Sequence, residues 1–322
     1  MRVLPTSCET HAGAWRQHER GLRALWARSS RRHELVDDPA AADVIVIGNI
    51  RREHAYRSLR RHPLVRRFPD KCFGMSEDWL LHPLLRGLYV NAHRDLPFRS
   101  RFRTGSYTLY HPDFKNPLIE THAGHAYLAP KRYLASFCGR DCHPVRTALF
   151  AQSWRRPDLL VVDTSAFNAF THDTTGKAPW HADYLRTLEA SKFALCPRGS
   201  GAASIRLFEA MRLGVAPVIL SDAWIFPQGP DWDSFALRVP EREVGRLEAL
   251  LGERERDFAE LGRRAQAAFH RHFAEDSYFD YVVEQLTAIA REQKVPETVF
   301  WRLRHVQAAC VSLHRRLRRR SL

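Results

Sequence analysis

The chain has 322 residues and a formal net charge of +14, with 50 Lys and Arg against 36 Asp and Glu. Hydrophobic residues make up 44% and charged residues 27%, with Gly 16 and Pro 18, which excludes collagen-like and Pro/Gly-rich disordered chains and allows a real core. At about 100–200 residues per domain the length suggests two domains. No apolar run nears the roughly 20 residues of a membrane span. The start, MRVLPTSCETHAGAW, lacks a basic segment followed by an apolar one, so the chain is read as cytoplasmic. Its six cysteines, without a CxxC pair, are then most simply reduced.

The charge is unevenly placed. Residues 1–130 carry 21 basic and 13 acidic side chains, residues 131–290 carry 20 and 21, and residues 291–322 carry 9 and 2. A nucleic-acid binder built on the whole chain would not leave its middle neutral. A weaker version of that function remains in Arg101, Phe102, Arg103, Tyr107 and Tyr110, where aromatic and basic residues interleave.

In chain order, residues 2–5 read as an edge strand and 14–28 as a basic amphipathic helix. The run Val44-Ile-Val-Ile-Gly48 has the continuous β-branched character of a parallel strand buried on both faces. A helix over 53–61 and a short strand over 71–75 follow, the latter stopping at Ser76-Glu77-Asp78-Trp79. Residues 82–130, rich in His, Pro, Gly, Tyr and Arg, read as a long loop surface. The second half alternates strand and helix: strands over 133–138, 158–163, 192–196, 215–220 and 235–239, and helices over 143–153, 180–190, 203–213, 241–251, 253–272 and 276–290. Such alternation predicts a doubly wound α/β chain with parallel sheets. We divide it as residues 1–130, residues 131–290 and a tail over 291–322.

The informative stretch joins the strand ending at Cys196 to the helix starting at 203 through Pro197-Arg198-Gly199-Ser200-Gly201. Glycines let a backbone approach a ligand, and the free N–H groups of a helix start favour an anion. Arg206 and Glu209, three residues apart, share a helix face. A guanidinium holds a phosphate and a carboxylate accepts from a ribose diol, so the pair suits a nucleotide diphosphate. Spacing alone admits equally an ordinary strand–helix junction with a surface Arg–Glu pair. Two metal readings are weaker: Cys138, Cys142 and His143 lack a second ligand pair at zinc-finger spacing, and Asp231-Trp-Asp233 has a DxD form but does not end a buried strand.

These residues resemble the exostosin-type glycosyltransferases. The likeness rests on Cys196-Pro-Arg-Gly199, Ser204-Ile-Arg206-Leu-Phe-Glu209-Ala210, Gly214-Val-Ala-Pro-Val-Ile219 and Ser221-Asp222. It continues through Phe226-Pro227, Asp231-Trp-Asp-Ser-Phe235 and Val239-Pro-Glu241, and upstream through Ser136-Phe-Cys-Gly-Arg140 with His143-Pro-Val-Arg146. It is strong over about 132–241, patchy over 36–130 and absent after 290.

The resemblance implies a GT-B fold: two Rossmann-like domains facing a cleft, the C-terminal one holding a nucleotide sugar and the N-terminal one meeting the acceptor. It also implies inverting, metal-independent transfer to a glycan or lipid-linked acceptor, as in surface polysaccharide synthesis by a bacterial member. No cofactor is expected beyond the donor co-substrate, with UDP-sugars favoured. On this basis Arg198, Gly199, Ser200, Gly201, Ser204 and Arg206 face the diphosphate, Glu209 the ribose, and Arg140 or Arg146 forms a second clamp. Inversion needs a base on the acceptor hydroxyl. Glu77, just past a strand end, is the candidate, with Asp78, His111, His122 and His125 as rivals.

In the tail, Val299, Leu303, Val306, Cys310, Leu313 and Leu317 recur at a 4-3 spacing among Arg302, Arg304, Arg315, Arg316, Arg318, Arg319 and Arg320. This predicts either an amphipathic helix on an anionic membrane face or a helix packed back on the protein. Two other functions stay open: a GDP-fucose-type transferase of another GT-B branch, and a non-catalytic nucleic-acid-binding protein on a Rossmann-like scaffold. No nucleic-acid partner is expected under the leading reading.

Overall fold

The computed structural model describes residues 1–8, 16–50, 55–79, 83–122, 124–169 and 171–310. The chain forms two compact α/β units. The first comprises Met1–Leu109, Ala223–Gln228 and Glu275–Leu322, and the second Tyr110–Asp222 and Gly229–Ala274.

The first unit is built on the parallel strands β1 (Arg2–Ser7), β2 (Glu34–Leu35), β3 (Val44–Gly48), β4 (Cys72–Ser76), β5 (Gly87–Tyr89) and β6 (Phe102–Arg103). Their order is β2-β1-β3-β4-β5-β6. The Val44–Gly48 run is buried throughout, as a central strand covered on both faces requires. Leu22 and Leu25 of the helix Gln17–Arg28 are buried, while Ile45, Ile47, Leu59, Val65 and Leu85 form part of an apolar cluster that Trp301 joins from the tail. Strands β5 and β6 lie inside the stretch read from sequence as loop; each is two or three residues long, too short to show a period.

The second unit contains β7 (Tyr133–Gly139), β8 (Leu159–Asp163), β9 (Ser191–Pro197), β10 (Ala216–Leu220) and β11 (Leu237–Arg238), in the order β11-β10-β9-β7-β8 and all parallel. Helices Pro144–Phe150, Lys177–Glu189, Ile205–Leu213, Leu247–Glu253 and Phe258–His272 accompany them. Every strand expected from sequence in this half is present, with ends shifted by at most two residues. The helix expected over 241–251 begins as a 3-10 segment, Glu241–Arg246.

The consecutive division into 1–130, 131–290 and 291–322 is corrected by long-range bonds. In the first unit, the Tyr278 hydroxyl accepts from Ser106 N at 2.8 Å and the Tyr281 hydroxyl donates to Thr104 O at 3.2 Å, tying the helix Tyr278–Glu292 to the end of β6. Residues 110–130 belong instead to the second unit, where Asn116 Nδ2 donates to His181 O at 2.9 Å and Lys131 Nζ to Glu189 O at 2.7 Å.

The tail also returns to the first unit. Glu297 meets Arg101 in an ion pair with both side chains 1% exposed, and Gln307 donates to Pro83 O at 3.1 Å. The face that packs therefore carries Glu297, Trp301 and Gln307. The 4-3 stripe is outside: Val299, Leu303 and Val306 are 40%, 55% and 60% exposed. Residues 311–322, with Leu313, Leu317 and the last five arginines, lie outside the described residues, as do the expected helix starts at 14 and 53.

Candidate functional site

In the second sheet β7 lies between β8 and β9, so successive crossovers leave it in opposite directions. In open α/β sheets such a switch point opens a crevice at the strands' carboxyl ends. Those ends are Gly139-Arg140 and Pro197-Arg198-Gly199. A side chain at Gly139 would stand 2.8 Å from Arg206 Nη2 and 2.6 Å from Phe137 Cζ, so glycine is required for Arg206 to cross this strand end. Arg206 Nε donates to Cys138 O at 2.7 Å, and its guanidinium lies 5.0 Å from the Phe137 ring centroid. The arginine is thus preoriented from the first turn of the helix Ile205–Leu213 toward the head of β7.

Arg146 has a different task. Its Nε donates to Arg198 O at 2.9 Å, Nη1 to Arg140 O at 3.1 Å and Nη2 to Pro197 O at 3.1 Å. Three carbonyls from two strand ends converge on one guanidinium that is only 6% exposed. Arg146 is therefore a strut for the glycine turn, a correction to its expected place as a ligand clamp. Arg140, exposed at the end of β7, and half-buried Arg198 supply further positive charge.

The helix start itself is open. Ser204 occupies the N-cap position of Ile205–Leu213 but makes no capping bond. Its hydroxyl is buried and has no hydrogen-bond partner in the structure. Buried polar groups normally find partners, so the unbonded hydroxyl at this helix start is able to meet a polar ligand. Ser221 Oγ donates to Ala202 O at 2.8 Å and holds the Gly199–Gly201 turn from β10. Asp222 and Glu241 exchange bonds, Asp222 N to Glu241 Oε1 at 3.0 Å and Glu241 N to Asp222 Oδ1 at 3.2 Å. The Ser-Asp and Val-Pro-Glu motifs thus brace the loops around the turn.

Glu209 lies one helical turn beyond Arg206. It accepts from the Tyr184 hydroxyl at 2.7 Å, which fixes the carboxylate. Burial pushes Glu209 above the usual carboxylate range, opposed by Tyr184 and Arg206. Tyr184 escaped the sequence reading because it lies 25 residues away on another helix. His143, which the sequence offered only in a weak metal reading and in the His143-Pro-Val-Arg146 run, is the N-cap of Pro144–Phe150, and its side chain accepts from Val145 N at 3.3 Å. Burial, then Arg198 and Arg146, hold His143 down at about 4, so it is neutral near pH 7.

Glu77 belongs to the first unit and is 7% exposed, immediately after β4. Ser76 Oγ donates to Ile50 O at 3.0 Å, Asp78 N donates to Ser76 Oγ at 3.2 Å, and Asn91 Nδ2 donates to Glu77 O at 3.3 Å. The backbone around the candidate base is therefore held on both sides. His18 Nε2 lies 3.8 Å from Glu77 Oε2. Asp78 is half-buried beside it.

The histidine rivals are in the second unit instead. His122 pairs with Glu189 at 2.8 Å and His125 Nδ1 meets the Tyr127 hydroxyl at 2.9 Å. His111, Asp113 and His172 form the one group among the described residues with three metal-type ligand atoms close together, within 4.8 Å. They are engaged with one another: His172 Nδ1 meets Asp113 Oδ2 at 2.8 Å and Asp113 N donates to His111 Nδ1 at 3.2 Å. Cys138, Cys142 and His143 are not among such groups, and Asp233 pairs with Arg238. Of the aromatic–basic patch named for RNA, Tyr107 and Tyr110 are half-buried, while Arg101, Phe102 and Arg103 are 1%, 5% and 7% exposed and the two arginines pair with Glu297 and Glu292. Those last three cannot present a stacking surface.

Comparison with known proteins agrees with the motifs. The Exostosin GT47 domain matches residues 100–253. The chain is 42% identical to an Exostosin-1 homolog of Caenorhabditis elegans over 74 residues, 22% of this chain and 19% of that protein. It is 32% identical to Exostosin-1 of Drosophila melanogaster over 141 residues, 42% of this chain and 17% of that one. A probable glucuronoxylan glucuronosyltransferase IRX7 of Arabidopsis thaliana is 40% identical over 72 residues, 22% of this chain and 16% of that protein. These matches span less than a quarter of the length of the curated relatives. Among solved structures, MurG of Acinetobacter baumannii aligns with a TM-score of 0.35 at 10% identity, over 89% of this chain and 99% of that one, too loosely to add to the strand order. Over residues 100–253 the chain is similar to the Exostosin GT47 domain.

Proposed function

We propose that the protein transfers a sugar from a nucleoside-diphosphate sugar, UDP-linked, to a hydroxyl of a glycan or lipid-linked acceptor, with inversion and without a metal, in the building of a surface polysaccharide. The observation that carries this reading is the uncapped start of Ile205–Leu213, where a buried, unbonded Ser204 hydroxyl sits in one turn with the arginine cluster. A diphosphate leaving group needs positive charge and N–H donors fixed in advance. Arg140, Arg198, Arg206, Ser200, Ser204 and the Gly199–Gly201 amides would supply them, and Glu209, oriented by Tyr184, would accept from the ribose hydroxyls. Glu77 would take the acceptor proton as the acceptor oxygen bonds to the anomeric carbon and the carbon–oxygen bond to the diphosphate breaks.

The test is a thermal-shift panel of UDP, GDP, UDP-glucuronate and other UDP-sugars, with and without EDTA. A ligand at about 100 times its Kd adds roughly 2.7 kcal/mol to the folded state, so the expected result is a rise of a few degrees with UDP that survives EDTA. A response to GDP alone would replace the donor class. No response to any nucleoside diphosphate by folded protein would overturn the reading.

Work at an anionic membrane face is part of the same proposal. No helix among the described residues is long and apolar enough to cross a membrane. The exposed stripe Val299, Leu303 and Val306 is joined by Phe98, 45% exposed and in ring contact with Phe300 at 5.7 Å, and five arginines follow in the sequence at 315–320. An apolar face with basic neighbours suits such a surface. Co-sedimentation with phosphatidylglycerol vesicles should weaken in high salt and in Leu303→Asp/Val306→Asp. Binding unchanged in that variant, or absent from the wild type, would remove this element.

A further inference from the structure

A polar cluster of His18, Asn49 and Glu77 lies at the ends of β3 and β4. His18 is the second residue of the helix Gln17–Arg28, and its side chain is 10% exposed. It rests on Gly48, the last residue of β3, where an added Cβ would stand 2.3 Å from His18 Cβ and 2.9 Å from its Cγ. Only glycine at 48 lets the imidazole lie across this strand end. The next residue, Asn49, has a left-handed backbone with φ of 55°, and it grips His18 twice. His18 N donates to Asn49 Oδ1 at 3.1 Å, and Asn49 N donates to His18 Nδ1 at 3.2 Å.

The second of these bonds determines the tautomer. A neutral imidazole has one N–H and one lone pair. With Nδ1 accepting from Asn49, the lone pair is there and the proton is on Nε2. Burial holds His18 down at about 4, so the ring is neutral near pH 7. Its Nε2 is buried, has no hydrogen-bond partner, and lies 3.8 Å from Glu77 Oε2. A general base at Nε2 would need its lone pair there, so this arrangement makes His18 a donor toward the carboxylate. The separation exceeds a hydrogen bond, as catalytic contacts often do before ligands bind.

We propose that His18 is the positioning residue for Glu77: Asn49 and Gly48 lock its ring so that Nε2–H faces the carboxylate and keeps it ionised and oriented to take the acceptor proton. This rests on the reading of Glu77 as the base. The site lies in the first unit, beside the switch between β1 and β3, and uses none of the donor-binding residues of the second.

Other ionisable groups surround the pair. Glu19, next on the helix, is paired with Arg16 at 2.8 Å and Arg23 at 3.8 Å. Asp78 follows Glu77 in the chain. Tyr278, whose hydroxyl burial pushes up, also feels the Glu77 charge, and His62 Nε2 meets Ser7 O at 3.1 Å. Cys8 is buried next to the end of β1.

The test is nitrogen-15 NMR of the histidines in the full chain at pH 7, with His18 assigned by its loss in His18→Asn. The expected spectrum shows a neutral ring protonated at Nε2, with a nitrogen shift that moves in Glu77→Gln. A proton on Nδ1, or an Nε2 signal indifferent to Glu77→Gln, overturns the proposal. Two variants separate positioning from packing. His18→Asn keeps an acceptor for Asn49 N but loses the donor, whereas His18→Gln can return a donor to the Nε2 position.

With the UDP-sugar identified by the binding panel, His18→Asn should lower kcat about tenfold or more at unchanged donor KM. It should also move the acid limb of kcat/KM upward by about one pH unit, since a carboxylate that loses a donor is easier to protonate. His18→Gln should restore part of both. Equal losses in the two variants with an unmoved pH limb would mean packing alone and would overturn the proposal. UDP affinity, measured by calorimetry in each variant, should stay at wild type. If it does and Glu77→Gln remains active, Glu77 falls as the base; failure of UDP to bind the wild type counts against the donor site instead.

Discussion

The two sheets share a plan and diverge in charge. In each, the first strand lies between the next two, β1 between β2 and β3, and β7 between β8 and β9. In each, a histidine near the start of the following helix accepts a backbone N–H on Nδ1, from Asn49 N at His18 and from Val145 N at His143. Both imidazoles are held at about 4. Beyond that the environments differ. His18 faces the Glu77 carboxylate, whereas His143 sits among Arg198 and Arg146. One strand–helix device thus meets a carboxylate in the first unit and guanidinium groups in the second. Topology places a site; the charges brought by distant segments decide its chemistry.

The two units should part most sharply at turnover. Glu77→Gln should reduce sugar transfer by about three orders of magnitude, within the range for loss of a positioned base, while UDP binding remains. UDP-release kinetics and calorimetry on one preparation check this, and lost UDP affinity would merge the two sites. Arg206→Ala should do the converse, weakening UDP about 100-fold through loss of charge-assisted bonds and of the tie to Cys138 O. Retained affinity would move the diphosphate elsewhere.

Acid stability sharpens the likeness between the two histidines. Each has a folded pKa below its unfolded value of about 6.5, so the unfolded state binds more protons between about pH 4 and 6.5. The stabilisation is fully present above that window and is lost as pH falls through it, by roughly 3 kcal/mol at most for each histidine. Urea titrations at pH 7 and 5 should show a smaller difference for His143→Gln and His18→Gln than for wild type. An unchanged difference would mean that these rings are not buried neutral. The smallest effect is expected at Ser204→Ala, a loss of UDP affinity of about fivefold from one neutral hydrogen bond. No loss would return Ser204 to a purely structural position.

The second unit was legible because its informative pieces are local. The run Ser191–Pro197, the Gly199–Gly201 turn and the Arg206–Glu209 spacing lie within 20 residues, and strand, turn and helix face follow from that short order. The Exostosin GT47 match covers the same stretch. Arg146 was placed near the turn correctly, but sequence could not show that its donors are taken by three carbonyls. In the first unit, Glu77 stood out as an acid after a strand, yet His18 and Asn49 did not, since they lie 59 and 28 residues away.

The alternation of parallel strands and helices, the glycine turn before Arg206 and the exostosin likeness are all set by residues within reach of one another along the chain. Long-range packing settles which histidines are buried and in which tautomer, that Arg101 and Arg103 are ion-paired inside, and that residues 275–310 return to the first unit. It also decided which face of the tail packs: Trp301 and Gln307 go inward, and the regular Val299–Leu303–Val306 stripe stays outside. The reason is physical. Periodicity reports that a helix has an apolar face, but which face is covered depends on the partner surface, and that surface is assembled from strands and loops more than 190 residues away.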